Sequence, residues 1–134
     1  MTEPIVGLAW VALGSALGGV ARFFISGYIG RRIGETFPWG TMAVNVSGSL
    51  AVGFAAGIAG MATTQPPSHL WQLAVTGFLG SYTTVSSFSL QTLALARDGQ
   101  LLRAAGNVLL SLALCIGCLA AGAAFGAAVA GTAG

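Results

Sequence analysis

The residues of this chain that could do chemistry are few, and most of them sit where polar groups are expensive. Arg22, Asn45 and the stretch Ser81-Tyr82-Thr83-Thr84-Val85-Ser86-Ser87-Phe88-Ser89 interrupt otherwise apolar runs. A central arginine costs about 2.5–3.5 kcal/mol on membrane-insertion scales, so polar groups retained in hydrocarbon are functional candidates by default. Arg22 either snorkels toward the Arg31 end of its segment or supplies a fixed positive field that concentrates an anion approaching from water. Asn45 either bonds a neighbouring helix, a contact of about 0.6–2 kcal/mol, or donates to an anion near a pore mouth. In the third stretch every residue except Val85 carries a hydroxyl or is Phe88, so it must face protein or water rather than lipid. Ser86 and Ser89 share one helical face, and Val85, Phe88 and Thr92 share another. A small, strongly hydrated anion needs hydrogen-bond donors to replace lost water, and the edge of an aromatic ring carries the positive end of its quadrupole. Ser, Thr, Asn and Phe edges together describe an anion path; the alternative is hydroxyls that only glue helices together.

The same stretch is preceded by Gly77 and Gly80. Ser/Thr side chains satisfy backbone groups freed where a helix unwinds, so a broken helix at mid-membrane is expected here, with unwound carbonyls able to hold a cation. Cys115 and Cys118 form a Cys-x-x-Cys spacing, but inside an apolar segment with His69 as the sole histidine. They read as small packing residues rather than a metal or redox pair.

The elements that position these groups are membrane spans. Only 6% of the 134 residues are charged and 55% are hydrophobic, with a mean hydropathy of +0.86, whereas a soluble domain is about a quarter charged. At roughly 20 residues per span, the length admits four or five crossings and no aqueous domain. The chain therefore reads as one all-α integral membrane domain over residues 1–134, without linkers. Span one runs from Ile5 to about Ile29; Glu3 and Pro4 before it do not resemble a signal peptide's positive n-region, so it is expected to be retained. After Phe37-Pro38-Trp39-Gly40-Thr41, a turn with interfacial aromatics, span two runs from Met42 to about Met61. Thr63 to His69, with Pro66 and Pro67, forms the second connection. Span three runs from about Leu70 to Ala96, and span four from about Leu101 to Val129.

Gly14/Gly18, Gly53/Gly57 and Gly122/Gly126 repeat the spacing that lets helix backbones approach closely, which supports a compact bundle and no particular chemistry. All five basic residues are arginines. Arg31, Arg32, Arg97 and Arg103 flank loops one and three, and none lies at the other side, so the positive-inside rule places those loops in the cytoplasm and both termini outside. No basic face exists for nucleic acid. A proton-coupled exporter of the small multidrug kind would need an embedded carboxylate, and Glu3, Glu35 and Asp98 all lie at the chain start or in loops. No nucleophile–base pair or clustered metal ligands suggest an enzyme.

At these residues the sequence resembles the CrcB/Fluc fluoride-channel family. The resemblance rests on Gly18-Gly19-Val20-Ala21-Arg22-Phe23, Trp39-Gly40-Thr41-Met42-Ala43-Val44-Asn45, and Thr76-Gly77-Phe78-Leu79-Gly80 leading into Thr83-Thr84-Val85-Ser86-Ser87-Phe88-Ser89. It implies an antiparallel dimer of four-helix subunits with a broken third helix, two fluoride pores, and a structural sodium ion held by backbone carbonyls. On that resemblance Asn45 is the pore-mouth Asn, Phe88 a pore phenylalanine, and Ser86, Ser87 and Ser89 the adjacent hydroxyl track. Ser111 is similar to a fourth-helix pore serine, and Gly80 and Thr83 supply the sodium-binding carbonyls. It further implies passive fluoride efflux across the inner (plasma) membrane of a microbe, lowering cytoplasmic fluoride. The chain departs from the family pattern at Val85, where the first of two pore phenylalanines is normal. Loss of one aromatic edge is expected to weaken conduction unless a neighbouring ring such as Tyr82 substitutes. The arginine bias also points to a fixed orientation, and so to one half of a heterodimer of related subunits as the alternative to a homodimer.

Overall fold

The computed structural model describes residues 2–60 and 68–132; Met61 and the Thr63–Pro67 part of the expected second connection lie outside the described residues. Every regular element is helical. α1 (Thr2–Ile33), α2 (Trp39–Ala59) and α6 (Leu101–Thr132) are each long and apolar enough to cross a membrane. Between α2 and α6 the described chain is helical in pieces, here called the segmented helix: α3 (His69–Trp71), a π-helical segment (Gln72–Leu79), α4 (Gly80–Tyr82) and α5 (Val85–Arg97).

The helices overrun the apolar windows read from sequence, because hydropathy marks the hydrocarbon-spanning part and says little about turns in the headgroup layer. α1 has 32 residues, about 48 Å at 1.5 Å per residue, against a hydrocarbon core of about 30 Å. Arg31 and Arg32 fall in its last turn, where cations complement the helix dipole. Trp39-Gly40-Thr41 forms the first turn of α2 behind Pro38 rather than the turn expected; Gly40 brings α2 onto the Ser26 carbonyl of α1. The segmented helix starts at His69, where Ser68 caps it by accepting from the Trp71 N–H at 3.2 Å. His69 stacks on Trp10 with ring centroids 6.0 Å apart, and its Nε2 lies 3.9 Å from Glu3. Gly34 (φ 115°) and Gly99 (φ 75°) let the chain leave α1 and α5 through left-handed backbone that residues with a Cβ avoid.

Two glycine seams hold the bundle. Gly53 and Gly57 of α2 lie against the backbone of Leu119 and Ala123, while Gly122 and Gly126 of α6 lie against that of Leu50 and Phe54. This reciprocal notching leaves no room for a Cβ and brings backbone atoms together, which is how helices associate where lipid removes the hydrophobic drive. In the second seam, Gly14 and Gly18 of α1 meet the backbone of Leu73 and Phe78. The contacted residues are spaced as in a π turn, and the π-helical stretch places successive turns of the segmented helix over the two glycine notches of α1. Gly77 closes the seam against the Val11 carbonyl, and Ser81 Oγ donates to the Ser15 carbonyl at 2.6 Å.

Side chains are arranged inside out. Leu102, Val85, Phe23 and Leu70 are among many large apolar residues exposed, while the buried residues include Thr41, Thr84, Asn107 and Ser111. Replacing Gly122 by Val should destabilise the α2–α6 seam by about 1–3 kcal/mol, the usual range for overpacking. Gly117→Ala, with open space at its Cβ, should be neutral or stabilising. Equilibrium unfolding in mixed detergent micelles checks both, and equal losses for the two variants would contradict the seam.

Candidate functional site

Between α4 and α5 the backbone leaves the helix. Thr83 (φ −79°, ψ 158°) and Thr84 (φ −152°, ψ 124°) are extended, so the helical bond pattern stops after Thr83. Thr83 N–H keeps its helical partner, the Leu79 carbonyl, at 3.1 Å, and side chains meet the groups beyond it. Thr84 N–H donates to Asn45 Oδ1 at 2.7 Å, and Asn45 Nδ2 donates to the Thr84 carbonyl at 2.9 Å. The Asn45 side chain thus pairs with Thr84 on both sides, as a neighbouring strand would. Thr84 Oγ1 caps α5 by accepting from the Ser87 N–H at 3.2 Å and bonds Ser86 Oγ at 3.1 Å. Arg22 turns inward: its Nη1 donates to the Thr83 carbonyl at 3.4 Å instead of reaching along α1 toward Arg31. Gly48 leaves the space on α2 into which the Thr83 methyl packs.

A cavity of about 530 Å³ opens beside this break, lined by Asn45, Gly80, Thr83, Phe88 and Ser111 among others. The structure therefore gathers these five sequence-expected residues around one space, and no carboxylate lines it. Arg22 and Ser87 line a second cavity of about 430 Å³ on the other side of Thr84. Ser86 and Ser89 are exposed and line neither of these two cavities. Val85 lies on the rim of the first cavity and is 77% exposed. Tyr82 does not replace the missing ring there: it is buried, stacked on Phe78 with centroids 5.8 Å apart, and its hydroxyl bonds Ser47 Oγ at 3.0 Å. Its position one residue before the break turns it toward α2 and away from Val85. Cys115 lines the cavity as a free thiol, and Cys118 is also free.

Asn107 escaped the sequence reading. It is 2% exposed and donates through Nδ2 to Thr92 Oγ1 at 2.9 Å, while Thr92 Oγ1 donates to the Phe88 carbonyl at 2.7 Å. Ser111 Oγ lies 3.5 Å from Asn107 Oδ1. This polar chain ties α5 to α6 beside the cavity. The signal was present, an amide one turn before Ser111 in an apolar span, but the span's strong hydropathy masked it. Gln91 was missed as well; its Oε1 is buried without a hydrogen-bond partner at a smaller cavity under loop one.

An all-helical chain that turns apolar side chains outward and gathers amides and hydroxyls within is a multi-pass membrane protein. Residues 9–123 match the family described as CrcB-like protein, Camphor Resistance (CrcB), and the chain belongs to that family. It is 58% identical over 126 residues to a protein of Rhodopseudomonas palustris (strain BisB18) named fluoride-specific ion channel FluC 2, covering 91% of this chain and 94% of the relative. A FluC 2 protein of Bradyrhizobium diazoefficiens is 53% identical, covering 87% and 85%, and a FluC 3 protein of Brucella suis biovar 1 is 50% identical, covering 84% and 85%.

If the Asn107–Thr92 bond ties the two helices, a double-mutant cycle with Asn107→Leu and Thr92→Val should give a coupling of about 0.6–2 kcal/mol in unfolding free energy. Additive losses would show that the bond contributes nothing.

Proposed function

We propose that this chain is a subunit of a fluoride-selective channel that carries fluoride passively out of the cytoplasm and so lowers its toxicity there. The observation that carries the reading is the cavity beside the break, where Asn45, Phe88 and Ser111 converge and no carboxylate competes with an anion. One Asn45 N–H remains after the bond to Thr84, since a primary amide has two. That N–H and the edge of Phe88 are the donors that replace water around fluoride, joined by the Ser111 hydroxyl when it turns from its long 3.5 Å contact with Asn107 Oδ1. Ser87 continues the hydroxyl track into the second cavity, Ser86 and Ser89 extend it over the exposed face of α5 beside that cavity, and Arg22 supplies the positive field. The names of the relatives, fluoride-specific ion channels, support the same ion.

In this reading the Thr83–Thr84 interruption is a break in a transmembrane helix, lying within one membrane domain of four crossings. The open cavity and the exposed Val85 form a face completed by a second, antiparallel subunit. The freed carbonyls of Gly80 and Thr83 suit a sodium ion: Thr84 N–H is taken by Asn45 Oδ1 and Ser87 N–H by Thr84 Oγ1, which leaves both oxygens without their helical donors. Bound there, the ion would supply fixed positive charge at the centre of the dimer. The Arg22 contact to the Thr83 carbonyl adds charge of the same sign beside it.

A second reading is favoured by the arginine bias and by Val85: an orientation-fixed subunit that conducts only with a related partner. Fluoride efflux from liposomes holding the purified chain alone, with chloride as control, separates the two. Fluoride-only efflux is expected from a self-sufficient homodimer, and a folded but silent protein would favour the obligate partner. In the conducting protein, Val85→Phe should raise the efflux rate severalfold by restoring a ring edge. Phe88→Ala should lower it at least about tenfold, equivalent to 1.4 kcal/mol. Unchanged rates in both variants would contradict the proposed path.

A further inference from the structure

Asn45 has two separable uses, and the geometry around Thr84 assigns it one that lining a cavity does not require. In an unbroken helix Thr84 N–H would bond the Gly80 carbonyl. Here Asn45 Oδ1 takes that N–H at 2.7 Å and Asn45 Nδ2 holds the carbonyl of the same residue at 2.9 Å. One end of the amide thus takes an N–H that the helix would use, and the other bonds the carbonyl on the far side of the same residue, so one side chain holds the two peptide groups that flank Thr84. We propose that Asn45 is a positioning residue: it holds Thr84 extended, and thereby keeps the Gly80 carbonyl free for a small monovalent cation, with the Thr83 carbonyl, whose second lone pair remains beside the long Arg22 contact, as its neighbour. This deepens the channel reading above and rests on it for the role of the cation.

Three features support the assignment. In a bilayer an unpaired peptide group costs several kcal/mol, so without a substitute partner the break would re-form helix. Only a primary amide offers a donor and an acceptor side by side; an Asp at this place could accept from the N–H but not donate to the carbonyl when ionised. The surroundings fix the register as well. Val44 beside Asn45 is completely buried, and Gly48 one turn later receives the Thr83 methyl, so Asn45 has little freedom to leave Thr84.

The test reads the bond and the cation separately from fluoride transport. In wild-type protein in bilayers, solid-state NMR with labelled Asn side-chain nitrogen and Thr carbonyl carbon should show a through-space correlation between Asn45 Nδ2 and the Thr84 carbonyl. Its absence overturns the clamp without any variant having to fold. Thermal stability in detergent is then measured against increasing sodium chloride, with N-methylglucamine chloride holding ionic strength constant. Wild type and Ser49→Ala, a change at another position on the same cavity wall, should share one sodium midpoint. Asn45→Ala and Asn45→Asp should raise that midpoint at least about tenfold or abolish the response. Unchanged midpoints in both Asn45 variants, or no sodium response in wild type, overturn the proposal. Because neither readout involves fluoride, a chain that passes these tests but carries no fluoride would refute the channel reading alone.

Discussion

A peptide group cannot go unpaired in hydrocarbon, and the architecture depends on how that constraint is met at Thr84. Extended backbone at Thr83 and Thr84 exposes donors and acceptors that lipid cannot satisfy. Asn45 from α2 and Arg22 from α1 reach in to meet three of those residues' groups, and Thr84's own hydroxyl caps the next helix. The position of α2 relative to the segmented helix is therefore set by hydrogen bonds shorter than 3 Å. The glycine seams serve this arrangement. Gly53, Gly57, Gly122 and Gly126 fix α2 against α6, so Asn45 and Ser111 come to line one cavity. Gly14, Gly18 and Gly77 fix α1 against the π-helical stretch, and Arg22 meets the break from the other side.

The chemistry of the site follows from what these contacts leave over. Thr83 and Thr84 spend most of their polar capacity on holding the break, Asn45 keeps one N–H, and the Gly80 carbonyl keeps its lone pairs. On α5 and α6, Asn107 and Thr92 bond each other, and Ser111 lies against Asn107 Oδ1, which ties the Phe88 and Ser111 turns together beside the cavity. The result is a space with a few fixed donors, one aromatic ring, and a guanidinium on the far side of Thr84. Such a set suits a small anion.

Much of this was legible in the residues. The spans, the glycine seams and the hydroxyl stretch follow from hydropathy and spacing, because lipid imposes a simple rule on which side chains face outward. Asn45 and Phe88 could be singled out because an amide and a ring in a hydroxyl stretch stand out in apolar runs, whereas Ser111 was named only through the family resemblance. Their contacts were less readable. Asn45 could be placed near a helix or a pore, but its pairing with the two peptide groups that flank Thr84 needs the distance between α2 and the break, which no local pattern encodes. The π-helical turns arise from the fit of Leu73 and Phe78 onto Gly14 and Gly18 and leave no propensity signature. Tyr82 looked able to stand in for the ring missing at Val85, yet the unwinding just after it directs the side chain onto Phe78 and Ser47. Asn107 was hidden for the opposite reason: its span is so apolar that a single amide barely alters the average.

The central claim, selective conduction of fluoride through this polar cleft, is tested most directly by the reversal potential of the purified chain in a planar bilayer. With a tenfold fluoride gradient and an opposing tenfold chloride gradient, the account predicts a current that reverses at the fluoride equilibrium potential, about 59 mV for a monovalent ion. A reversal that tracks chloride, or one that follows the cation gradient, would contradict it.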